Sequence, residues 1–213
     1  MTETEVSCKK CEKRSALCIC DFVSPTKTSL QILILQHPQE RQEDLATARL
    51  AQLTLDGSIL RTGLSWPNLK SVLKKEAQPS RWAVLYLGSG IKSETPAKPA
   101  TGVHFIDKKA KPTTRPESLD GIVILDGTWS QAKTLWWRNA WLLKLRRMIL
   151  VPAKKSLYGH LRREPRPECL STIESLGEAL TALGENPDVE NKLRDLFSQL
   201  LKKSREKLKK GPE

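Results

Sequence analysis

Apolar residues along this chain gather into short runs, each closed by a polar, Gly- or Pro-bearing segment. Leu30-Gln31-Ile32-Leu33-Ile34-Leu35 is one, ending in the polar turn Gln36-His37-Pro38-Gln39-Glu40-Arg41. Ile122-Val123-Ile124-Leu125 is another, preceded by Gly121 and closed by Asp126-Gly127. Such runs, too short for helices and lacking alternation, predict strands buried on both faces. Residues 81–87 and 148–151 predict two more strands, 58–62 a short one and 103–107 a minor one. Helical spacing fills the intervals. Leu45, Ala48, Leu53 and Leu55 predict a helix over 42–55, closed by Asp56-Gly57. Further helices are expected at 67–75, 132–145, 172–183 and 187–208. Strands alternating with helices imply an α/β fold with a mostly parallel sheet.

In such sheets, ligands bind at the carboxyl ends of the strands. Asp126 and Thr128 stand at one such end, within GIVILDGTWSQA (121–132), and Trp129 follows them. The plainer reading is that Asp126 or Ser130 only caps the next helix. His37 stands at the end of another strand, as a base, a ligand contact or a shaper of the turn with Pro38. Gly88-Ser89-Gly90 ends a third, and a Gly-Ser-Gly turn leaves backbone N–H groups open to a ligand. Residues 108–116, KKAKPTTRP, read as a basic linker. In 132–145, Trp136, Trp137 and Trp141 favour a core-facing helix with partly exposed rings over a base-stacking surface.

The basic stretch 154–173 carries Lys154, Lys155, His160, Arg162, Arg163 and Arg166. It leads into Ser171-Thr172-Ile173-Glu174, where Ser171 and Glu174 fit a capping box. A basic loop entering a helix N-terminus also suits a carboxylate or phosphate. Near the other terminus, Cys8, Cys11, Cys18 and Cys20 supply four of the chain's five cysteines. Four thiolates this close can close a tetrahedral site, usually around zinc. Residues 1–26 hold too few apolar side chains to fold without a metal, so they are expected to form a four-cysteine zinc segment ahead of a domain over 27–213. Cys169 reads as a small packed residue.

Lys plus Arg total 36 against 24 acidic residues, a formal charge of +12. This predicts a polyanionic partner. No apolar run approaches the roughly 20 residues that cross a bilayer, and MTETEVSCKK has no secretory apolar core. The expectation is a cytoplasmic protein, with no membrane contact and with nucleic acid as the polyanion. Oligomeric state stays open.

Four stretches, taken together, resemble the DTW-domain family, whose motif is Asp-x-Thr-Trp. They are the cysteine arrangement C-x2-C-x6-C-x-C, LQHPQE (35–40), LDGTWSQA (125–132) and LRREPRPECLSTIESL (161–176), in that order. Members are tRNA-uridine aminocarboxypropyltransferases with a fold related to the knotted SPOUT methyltransferases. The resemblance implies a SPOUT-like, knotted catalytic domain, S-adenosylmethionine as co-substrate and tRNA as partner. The group transferred would be the 3-amino-3-carboxypropyl arm, placed on uridine N3. By that resemblance Asp126 takes the N3 proton, with Thr128 and Trp129 shaping the turn. Gly88, Ser89, Gly90, Leu125 and the backbone from Leu150 to Pro152 cradle the adenosine. Arg162, Arg163, Ser171 and Thr172 hold the carboxylate, and zinc is structural or faces RNA. Two other readings stay open: an RNA methyltransferase of the same general fold, and a non-catalytic zinc-containing RNA-binding protein.

Overall fold

A computed structural model describes residues 7–85, 100–159, 161 and 169–210. In chain order these form β1 (Gln31–Gln36), α1 (Ala48–Thr54), β2 (Ile59–Thr62), α2 (Leu69–Leu73), β3 (Trp82–Leu85), β4 (Gly102–Ile106) and β5 (Pro112–Thr113). Then come β6 (Gly121–Asp126), α3 (Trp129–Arg138), β7 (Arg146–Val151), α4 (Thr172–Ala182) and α5 (Pro187–Lys210). One sheet runs β2-β1-β6-β3-β7-β4-β5. The first five strands in that order are mutually parallel, and β4 and β5 form an antiparallel edge.

β1 and β6 lie side by side through the centre, in register from Gln31↔Gly121 to Gln36↔Asp126. Their unalternating sequences follow from burial on both sides. Ile32, Ile34, Ile122 and Ile124 pack into a layer with α1, α4 and α5. Leu33, Leu35, Val123 and Leu125 face α2 and α3. At Gly121 a Cβ would run into the Gln31 carbonyl of β1 and lie 2.7 Å from the Trp82 ring, so the two backbones meet there only through glycine.

Three predicted helices differ in extent, two for local reasons and one through distant contacts. In 42–55, Pro38–Gln42 is a 3-10 turn, and α1 starts only after Thr47. In 67–75, Asn68 and Ser71 cap the start of α2, and Lys74 ends it in a left-handed conformation (φ 58°). In 132–145, the Thr128–Gln131 capping box starts α3 at Trp129. Asn139 then ends it: its amide donates to the Leu135 and Leu64 carbonyls and its carbonyl accepts from the Trp66 N–H. Residues 140–144 continue as a 3-10 turn, so Trp141 is 7% exposed while Trp137 stands out at 78%. The basic linker holds β5, paired to β4 through Phe105↔Thr113 and Ile106↔Pro112.

The cysteine segment contributes Cys11, Leu17 and Ile19 to the same core as α1, α4 and α5. Its 3-10 turn Ser15–Leu17 lies on α5, and Lys203 of α5 donates to the Cys18 carbonyl (2.5 Å). Among the described residues no helix is long and apolar enough to cross a membrane.

Candidate active site at the carboxyl edge of the sheet

Polar residues converge where β2, β1 and β6 end. Asp126, the last residue of β6, is buried. Its Oδ1 accepts from the Thr172 hydroxyl (2.5 Å) and its Oδ2 from the Gln36 amide (3.0 Å). Gln36 Oε1 in turn accepts from the Thr62 hydroxyl (3.0 Å). One carboxylate is thus fixed by the ends of two other strands and by the first residue of α4. A buried carboxylate needs such donors, because desolvation otherwise penalises its charge.

Asp126 does not cap α3; Thr128 does, accepting from Gln131 N–H while its own N–H donates to Gln131 Oε1 (2.7 Å). Ser130 is not the cap either. Between them Gly127 has φ 148°, and a Cβ there would lie 2.9 Å from Gln131 Cβ and 3.3 Å from His37 Cβ. Only glycine meets both conditions. His37 shapes the turn after β1: its N–H donates to the Asp126 carbonyl (3.0 Å) and its Nδ1 accepts from Gln39 N–H (3.3 Å). Trp129 Nε1 points to Cys169 Sγ at 3.3 Å, tying the turn to the segment that enters α4. Cys169 is buried there as a packed residue.

Ser171 caps α4 and donates to Glu174 Oε2 (2.7 Å). Glu174 is fully buried and also accepts from Ser156 (2.9 Å) and from Leu157 N–H (2.8 Å). Ala153 N–H donates to Glu178 (2.8 Å). The chain leaving β7 is therefore clamped to α4 just beyond Leu150 and Pro152. Among the described residues β3 pairs with β6 to Val84↔Val123 and with β7 to Leu85↔Met148. Leu125 and Leu150 lie on the two strands that flank β3, past these pairs. Gly88, Ser89, Gly90, His160, Arg162, Arg163 and Arg166 lie outside the described residues.

The four cysteines form a separate cluster, with all Sγ atoms within 4.8 Å of one another. Cys8 and Cys20 are 3.7 Å apart, and Cys11 and Cys18 are 3.8 Å apart. A tetrahedron with Zn–S bonds of about 2.3 Å has edges of about 3.8 Å, so the donors fit a zinc ion. Hydrogen bonds from the Cys11 and Lys10 backbone lower the Cys8 thiol to about 6. Burial pushes Cys11 and Cys20 up. A bound cation would hold all four as thiolates.

Between this cluster and the turn after β1 lies a cleft of about 470 Å³ whose lining includes Cys8, Cys11, Lys13, Gln36 and Arg49. Lys13 is buried and donates to the Glu43 carbonyl (3.0 Å). Burial pushes its ammonium down to about 8, against the opposing charges of Asp44, Cys11, Asp126 and Glu40. Gln36, Thr62 and Lys13 were not among the predicted site residues. The sequence signal for Gln36 is a polar residue closing an otherwise apolar buried strand.

The DTW domain model matches residues 5–205. This chain belongs to the DTW-domain family. DTW relatives named tRNA-uridine aminocarboxypropyltransferase 2 are similar to it over most of its length. The Drosophila melanogaster protein is 30% identical over 192 residues, 87% of this chain and 70% of its own. The Macaca fascicularis protein is 31% identical over 87% of this chain and 59% of its own. The Mus musculus protein is 28% identical over 90% and 61%. The chain thus spans about three fifths of the two mammalian relatives. No solved structure matches this DTW chain significantly. The DTW string itself, Asp126 to Trp129, is the turn in which the buried carboxylate, the glycine and the helix cap meet.

Proposed function

We propose that the chain transfers a 3-amino-3-carboxypropyl group from S-adenosylmethionine to N3 of a uridine in tRNA. The observation that carries this reading is the buried Asp126, held by Gln36 and Thr172 at the edge where strand ends converge. It is supported by the names of the DTW relatives. Uridine N3 bears a proton, and the nitrogen attacks only once that proton is withdrawn. A fixed carboxylate is suited to accept it. The N3–carbon bond forms as the carbon–sulfur bond breaks, leaving methylthioadenosine. When bound, the sulfonium supplies the electrophilic carbon and the leaving group.

The chain's own work is orientation, because three carbons on that sulfur are electrophilic. The adenosine is assigned to Leu125, Leu150 and Pro152, on or just beyond the strands that flank β3, and on the sequence alone to Gly88, Ser89 and Gly90. Arg162 and Arg163, cations that precede α4 in the sequence, suit the methionine carboxylate. Thr172 orients Asp126, Ser171 holds the helix end, and Thr128 with Trp129 fixes the turn. The parallel sheet and its ligand-facing edge support the SPOUT-like reading. The spacing of the four N-terminal thiols supports a structural zinc.

The test is one incubation with labelled S-adenosylmethionine and unmodified tRNA, the small product being identified by mass. Methylthioadenosine, with a uridine heavier by the aminocarboxypropyl group, is expected. S-adenosylhomocysteine would mean methyl transfer instead. Binding without either product would favour the non-catalytic reading.

A further inference from the structure

Uridine N3 lies on the Watson–Crick edge, which a base-paired helix hides, so the target base must be presented unpaired. We propose that the cysteine segment and the C-terminal half of α5 form one RNA-docking face, which leads a single-stranded loop into the cleft above Gln36. The proposal rests on the transfer reading for its substrate.

The cleft holds about 470 Å³, inside the range of roughly 300–1,000 Å³ of clefts that hold ligands. Its lining includes Gln36, whose side-chain amide bonds directly to Asp126. A base entering here approaches the carboxylate from the β1 side, opposite the β3 and β7 ends assigned to the cofactor. Donor and acceptor thus reach Asp126 from two sides, as a displacement in line with the breaking bond needs.

Charge complementarity selects the occupant. The cleft lining carries five cations against Glu12, Glu43 and Asp44. Glu12 is matched by Arg41 (2.8 Å) and Asp44 by Arg14 (3.5 Å). Lys9 and Lys10 are exposed on the cysteine segment. α5 continues the surface: Lys203 binds the Cys18 carbonyl and Lys207 lies 3.9 Å from Asp44. Cations around a cleft that reaches Gln36, the partner of Asp126, suit phosphates outside and a base within.

The experiment titrates fluorescently labelled unmodified tRNA with the full-length, zinc-loaded protein at several salt concentrations. Lys9→Gln/Lys10→Gln and Lys203→Gln/Lys207→Gln are compared with Lys75→Gln/Lys144→Gln. The last pair is exposed and lies on the α2–α3 side of the sheet. Each of the first two pairs is expected to weaken binding about tenfold. Each lost phosphate contact should also flatten the slope of log affinity against log salt by about 0.7. The control pair should bind as the wild type does. Wild-type affinity and slope in both test pairs would overturn the docking face. The α5 pair keeps the face testable even where the segment pair sheds zinc. The two readings separate cleanly. Methylthioadenosine release with unaltered binding in both pairs overturns the face alone. Weakened binding in the pairs without any such release overturns the transfer reading and leaves the face standing.

Discussion

Asp126 is held by a hydroxyl from one helix and an amide from a neighbouring strand, and both donors bear on its role. Under the proposed function, Asp126→Asn keeps the shape and removes the base. Transfer should fall at least about 10²-fold in single-turnover assays, the scale of general-base catalysis. Thr172→Val leaves the base and removes one orienting donor. A hydrogen bond to a charged group contributes roughly 1.5–3 kcal/mol, so a loss of ten- to a hundredfold is expected, with tRNA affinity unchanged. An unaltered rate in Thr172→Val would assign the hydroxyl to folding alone. Gly127→Ala should lose both activity and stability, since its φ and its contact with Gln131 exclude a Cβ. Residue identity at this turn was legible in the sequence, because DGTW sits where a buried run stops. Its partners were not. Gln36, Thr62 and Thr172 lie 90, 64 and 46 positions from Asp126, and only strand order and helix placement bring them together.

At the scale of elements, long buried runs were read correctly and helix ends less so. β1 and β6 follow from composition, since a strand buried on both faces admits few polar residues. The Ser171–Glu174 capping box was visible for the same reason: it is local chemistry. The end of α3 instead depended on interactions from outside the segment. Asn139 stops α3 by binding the Leu64 carbonyl and the Trp66 N–H, 73 to 75 positions away. Glu174 joins several elements at once, and its buried carboxylate also lies 3.4 Å from Arg194. Glu174→Ala would leave those donors and that cation facing a void. A loss of about 3 kcal/mol or more is expected in urea denaturation, as for a broken buried ion pair. Glu174→Gln should lose less, since it keeps the volume and one acceptor oxygen.

For the whole molecule, the cysteine segment is part of the core. Cys11, Leu17 and Ile19 are buried with α1, α4 and α5. If the four cysteines hold zinc as proposed, chelating it should loosen the body as well as the segment. A fall in thermal midpoint of roughly 10 °C is expected, given about 2–4 °C per kcal/mol for a chain of this size. Elemental analysis should give one zinc per chain, and Cys18→Ser should reproduce the fall. An unchanged midpoint in the stripped protein would remove zinc from the structural account. The net charge was legible from composition, but its arrangement needed the contact between α5 and the segment.

That contact also fixes an order of events during synthesis. Leu17 and Ile19 leave the ribosome about 185 residues before the part of α5 around Lys203 that lies beside them. A metal-loaded segment can form early, yet its apolar side stays uncovered until the last helix is made. Pairing so distant in sequence is slow to close and leaves apolar surface exposed meanwhile. A ribosome stalled before α5 should hold a nascent chain that binds zinc yet remains sensitive to protease. Release of the full chain should remove that sensitivity.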